Sequence, residues 1–108
     1  MKFSVLILIF FFSFNVLATN VFPINDEAQY PKYSKNALTA VIWDLRKNNV
    51  EISNLYALAK CSEQTCDIEV SFKDNFKNNQ NIRGCPDFCV HYGFNNAHNY
   101  IVKKAHIR

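Results

Sequence analysis

Leu55-Tyr56-Ala57-Leu58-Ala59-Lys60-Cys61, Ser62-Glu63-Gln64-Thr65, Cys66-Asp67-Ile68-Glu69-Val70-Ser71-Phe72: the reading of this stretch decides the fold. Leu55, Ala57, Ala59 and Cys61 alternate with Tyr56, Leu58 and Lys60, and Cys66, Ile68, Val70 and Phe72 alternate with Asp67, Glu69 and Ser71. Alternation of this kind marks strands with one buried face. Folding the chain at the polar tip Ser62–Thr65 sets Cys61 opposite Cys66, Ala59 opposite Ile68, Ala57 opposite Val70 and Leu55 opposite Phe72. All the apolar residues of the return strand then share a face with the small residues of the first, and a slip by one position would expose them. The same register pairs Lys60 with Asp67 on the other face, a modest cross-strand attraction. The alanines leave room for a helix to lie across the inner face.

The chain has four cysteines. An even number in an exported small domain implies disulfides. Neighbouring pairs, Cys61–Cys66 across the hairpin and Cys85–Cys89 around Pro86, are the favoured connectivity, because directly opposed strand residues have suitable Cβ separation. The crossed pairings stay open. A zinc ribbon uses knuckles of the form Cys-x2-Cys. Here the knuckles hold four and three intervening residues. Thiol–disulfide catalysts use Cys-x-x-Cys at a helix start, and Cys85-Pro86-Asp87-Phe88-Cys89 has one residue too many.

One helical pattern precedes the hairpin. Leu38, Val41, Ile42 and Leu45 fall at i, i+3, i+4 and i+7, a single apolar stripe. Tyr30-Pro31 marks its start, with Ser34 as the alternative N-cap, and Lys47-Asn48-Asn49 its end, where asparagine can take a left-handed cap. Trp43 and Ala40 stand beside the stripe, which makes Trp43 a residue of the core or its edge, with an anchor for a partner as the alternative. Val21, Phe22 and Ile24 lie in an arm over residues 19–29, apolar enough to dock or to form an edge strand, with a flexible tail as the equal alternative.

After the hairpin comes a polar connection, Asp74 to Asn81, and two further strands, Val90–Phe94 and Asn99–Ile107. In the last, Ile101, Ala105 and Ile107 are expected to share a face, although Lys103 breaks the alternation. The expected fold is α+β: one helix packed on a four-stranded antiparallel sheet, disulfide-stabilised, in a single domain over residues 30–108. This order resembles cystatin-like and related helix-on-sheet folds. Gln80-Asn81-Ile82-Arg83-Gly84 also resembles the Gln-x-Val-x-Gly loop with which cystatins enter a cysteine-protease cleft, which would imply protease inhibition. In that family the loop joins the first two strands after the helix; here it follows the second.

Residues 1–18 read as a signal peptide: a basic start at Lys2, an apolar run from Phe3 to Phe14, and Val16-Leu17-Ala18 before an expected cut at Thr19. The run is short of the ~20 residues a spanning helix needs, so no membrane attachment is expected after cleavage. The mature chain carries 11 Lys/Arg against 9 Asp/Glu. This balance lacks the strong charge of a nucleic-acid binder. From Arg83 onward, four Lys/Arg and three histidines face a single acid, Asp87, a mildly basic face that charges further below about pH 6.5. None of the 14 asparagines lies in a glycosylation sequon, which leans toward a bacterial periplasm or medium.

No stretch carries a catalytic signature. His91, His98 and His106 lack metal-ligand spacing, and no serine or cysteine sits in a nucleophile-elbow context. The expectation is a non-enzyme without cofactor or metal: an exported, periplasmic or secreted protein that binds another protein, as an inhibitor or toxin-immunity protein. Tyr56, Leu58, Phe76, Arg83, Phe88 and Tyr92, with Phe94 beside them, are the contact candidates, because aromatics and arginine are enriched at contact centres. The alternative is a metal-binding or thiol-redox protein using the four cysteines.

Overall fold

The computed structural model describes residues 20–78, 82 and 84–106. The expected signal peptide, Arg83 and Ile107 therefore lie outside the described residues. Strand β1 (Phe22–Pro23) is followed by helix α1 (Lys35–Lys47), then by strands β2 (Leu55–Cys61), β3 (Thr65–Phe72), β4 (Cys89–Asn95) and β5 (Tyr100–His106). The strands form one antiparallel sheet in the order β1-β2-β3-β4-β5. It has five strands, not the expected four. The addition is the N-terminal arm, where Phe22 pairs with Ala57 and Ile24 N–H donates to Leu55 O at 3.0 Å. Phe22 and Ile24 are buried, which is why the arm docks.

The decisive hairpin has the expected register throughout, from Leu55 opposite Phe72 to Cys61 opposite Cys66, with Lys60 opposite Asp67. The inner face of the sheet is continued by Val90, Tyr92 and Phe94 of β4, opposite Val70, Ile68 and Cys66. Ala37, Leu38, Val41 and Leu45 of α1 close this face into a single core. Each fully buried leucine there contributes about 1.5–3 kcal/mol of transfer free energy.

Helix α1 starts at Lys35, with Ser34 as its cap residue, and not at Pro31. Tyr33 has φ 69°, a left-handed conformation that interrupts any helix begun earlier. The buried Ser34 hydroxyl donates to Pro31 O at 2.6 Å instead of capping the helix. At the other end Asn49 takes φ 63°; its N–H reaches Arg46 O and Val50 N–H reaches Leu45 O, each at 2.9 Å. This pair of bonds is a Schellman motif.

Strand β5 departs from the expected pattern. Gly93 pairs with Lys103 but Phe94 with Ile101, so Val102 is an extra residue in a bulge. The bulge reverses the parity of everything after it. Ile101 faces inward beside Phe94, whereas Ala105 lies opposite His91 on the outer face, so the two do not share a face. Lys104 instead comes to the inner side, opposite Tyr92. Its Nζ meets Asp44 Oδ2 of α1 at 2.8 Å, and the Tyr92 hydroxyl donates to the same oxygen at 2.7 Å.

The connection from Lys73 to Phe88 folds back over the outer face. Phe76 bridges Ile82, whose N–H donates to Glu69 Oε1 at 3.3 Å. Asn75 Nδ2 donates to Ser71 Oγ and to Asp87 Oδ1, each at 2.8 Å, and Ser71 Oγ donates to Phe88 O at 2.6 Å. Both disulfides join neighbours, Cys61–Cys66 and Cys85–Cys89, and no cysteine is free. Two intramolecular disulfides fit an oxidising compartment. Among the described residues no helix is long and apolar enough to cross a membrane.

Candidate binding surface

The expected contact residues do not form one exposed patch. Tyr92 is 0% exposed, on the inner face under α1, where burial and the Asp44 carboxylate push its hydroxyl pKa well above the ordinary value. Leu58 (2%) and Phe76 (7%) are also buried, apart from the main core. Leu58 is opposite Glu69 on the outer face, where Lys60, Asp67, Glu69 and His91 stand around it. Phe94 is buried against Cys66. The exposure expected of these four side chains is thus corrected. Sheet alternation alone made the outer face look open, and it does not show that the long side chains beside Leu58 gather around it. Tyr56 and Phe88 are half-buried: Lys73 Nζ lies 5.7 Å from the Tyr56 ring centroid, and Phe88 meets His106 edge-on at 6.3 Å. Of the cystatin-like segment, Ile82 and Gly84 are described, in the connection between β3 and β4 rather than at the β2–β3 tip.

Trp43 is the most exposed aromatic among the described residues, at 69%, ahead of Tyr100, Tyr33 and Phe72. The core-edge expectation for it fails on helix geometry. At 100° per residue Trp43 stands about 140° around α1 from Leu38, away from the core stripe. That signal was present in the sequence. Trp43 lines a groove of about 380 Å³ together with Tyr30, Ile42, Arg46 and the buried Ile52, and with Asn25, Glu27 and Thr39 on its polar side. The arm sets one wall: Asp26 Oδ1 accepts from Ala28 N–H in a short 3-10 turn, Glu27–Gln29. The Tyr30 hydroxyl donates to Ile24 O at 2.6 Å and its ring packs on Phe22. Burial, with Glu27 and Asp26 nearby, raises the Tyr30 pKa, so it remains a neutral donor. Glu27 pairs loosely with Lys35 at 3.9 Å.

Two other clusters carry titratable groups. On the outer face Lys60, Asp67, Glu69 and His91 surround Leu58 in a hollow of about 250 Å³, with His91 Nε2 3.4 Å from Asp67 Oδ1. Among the described residues that line this hollow there is no serine, threonine or cysteine. Near the second disulfide the donor atoms of Cys85, Asp87 and Cys89 lie within 4.8 Å of one another. Both sulfurs are joined to each other, however, and a metal needs them as thiolates.

Compared with known protein families, curated proteins and solved structures, the chain matches none.

Proposed function

We propose that this is a small exported binding protein, of the inhibitor or toxin-immunity type, that grips another protein through the groove along α1. The observation that carries this reading is Trp43. A tryptophan on the solvent side of a helix adds nothing to the core beneath it, and burying such a ring is among the largest single gains an interface can make. Ile42 and Tyr30 extend the apolar floor, and Arg46 stands at its edge. A protein segment with an apolar side chain followed by a carboxylate suits this lining. The two disulfides support the export implied by residues 1–18, and a mature N-terminus at Thr19 is its check.

Trp43 is the sole tryptophan in the chain, so its emission reports directly on the groove. A partner captured from the source's envelope or medium should shift that emission to the blue in a saturable titration. Trp43→Ala should weaken binding by at least about 2 kcal/mol while changing the melting temperature little. Equal binding by Trp43→Ala, or a partner that leaves the emission unmoved, would sink the groove as the site.

The grouping of Cys85, Asp87 and Cys89 favours a second reading, a metal-binding or thiol-redox protein. Thiol titration and metal analysis of purified protein separate the two. The binding reading expects no free thiol and no stoichiometric zinc; four free thiols with bound zinc would overturn it.

A further inference from the structure

The two disulfides sit in different surroundings. Cys66 belongs to the main core, and its partner Cys61 is directly opposite it in the β2–β3 ladder. A thiolate released at Cys66 would be left in the core, with Asn96 Nδ2 at 3.5 Å as a donor but the Tyr33 carbonyl oxygen, which repels it, at 3.4 Å. Cys85–Cys89 lies outside that core, at the end of the connection that crosses the outer face. Cys85 is partly exposed between Gly84 and Pro86, both exposed, while Cys89 is buried. Ser71 Oγ is 3.1 Å from Cys89 Sγ, and Asn75 Nδ2 is 3.8 Å from it. In the oxidised protein the Ser71 proton points to Phe88 O, and a rotation of the hydroxyl turns it toward the sulfur.

We propose that Cys85 is a thiol-modification site, at which a low-molecular-weight thiol opens the Cys85–Cys89 disulfide while the fold stays intact. The reagent thiolate attacks Cys85 Sγ from the solvent side. A bond forms between the reagent sulfur and Cys85 Sγ, the Cys85–Cys89 bond breaks, and its electron pair leaves on Cys89 as a thiolate. Exchange rates depend on which sulfur is accessible and how well the leaving sulfur holds negative charge. Within this pair access selects Cys85; Cys61 is also partly exposed, so the leaving sulfur distinguishes the two disulfides, and the Ser71 hydroxyl, held by Asn75 Nδ2 at 2.8 Å, receives the charge on Cys89. The product is a mixed disulfide on Cys85 and a buried thiolate on Cys89. Asp87 tempers the reaction. Its carboxylate oxygen lies 3.9 Å from Cys85 Sγ and repels an anionic reagent. This inference is independent of the groove along α1.

The test uses the oxidised mature protein with reduced glutathione under native conditions, quenched in acid, alkylated and mapped by peptide mass spectrometry. The expected product carries glutathione on Cys85 and the alkylating group on Cys89, with Cys61–Cys66 intact. Ser71→Ala should slow the opening by roughly tenfold or more, the worth of a hydrogen bond to a charged group. A merely loosened loop would open faster, so the sign discriminates. Asp87→Asn, which keeps the oxygen that accepts from Asn75 and Phe88 N–H, should react severalfold faster. Glutathione on Cys89 or on the first pair, opening of both disulfides only in denaturant, or an unchanged rate in both variants would overturn the proposal.

Discussion

Asp44 carries more of the structure than its place beside an apolar stripe suggests. Burial by itself would raise its pKa, but the bonds from Lys104 and Tyr92 and the charges of Lys104 and Lys47 outweigh that and hold it below the ordinary carboxylate value. A carboxyl depressed in the folded state stabilises in full above the unfolded pKa, and that contribution disappears as pH falls through the folded one. Asp44→Ala removes the acceptor from the buried Tyr92 hydroxyl and the partner from Lys104, and should cost about 2 kcal/mol in denaturant unfolding near neutral pH. The difference between wild type and variant should shrink below about pH 4, where the unfolded carboxyl takes up its proton. A difference that is flat from pH 7 to pH 3 would show that the aspartate acts through packing alone.

At the scale of elements, the bulge in β5 decides which side chains meet α1. Val102 is the extra residue, and the residues on either side of it already pair in register with β4. Its deletion should therefore leave a regular ladder with Ile101 still inward and Lys104 still on Asp44. We expect the deletion variant to fold, with a melting temperature a few degrees from wild type and an unchanged pattern of backbone amide resonances around α1. Deleting His91 from β4 should unfold the protein, because there the same one-residue shift turns Val90 or Tyr92 and Phe94 to the wrong faces. The hairpin is the contrasting case. Its pairing is legible in the amino-acid sequence, since polarity and the Lys60–Asp67 charge pair agree on one register. The helix is legible at its C-terminal end, where Asn49 provides the cap, and less so at its start. Tyr33, a bulky residue in a left-handed conformation, does not advertise itself in a sequence.

For the whole molecule, the roughly 90 residues left by the proposed cleavage would bury only just enough surface to offset chain entropy. The disulfides therefore matter. They close loops of similar length, with separations of 5 and 4 residues, so loop entropy alone assigns each about 2 kcal/mol. Replacing Cys61 and Cys66 together by alanine should cost more than that, because Cys66 is part of the core and truncation leaves a cavity. Replacing Cys85 and Cys89 together should cost less than the first pair, because Cys89 is buried but lies outside the main core. Urea unfolding of the two double variants measures the difference, and equal losses would place both staples in equivalent surroundings.

What could be read from the amino-acid sequence was local and periodic: the helix stripe, the hairpin register and the α+β layering. Each depends on residues close in the chain or on the fixed two-residue period of a strand. Only the tertiary structure shows that neighbouring cysteines pair, that the arm adds a fifth strand, that Val102 reverses the parity of β5, and that Leu58 and Phe76 are buried outside the main core. Those outcomes depend on contacts between distant segments, to which no local period points. Trp43 lies between the two: the helical period already placed it opposite the core, and the structure supplied the groove that gives its exposure a use.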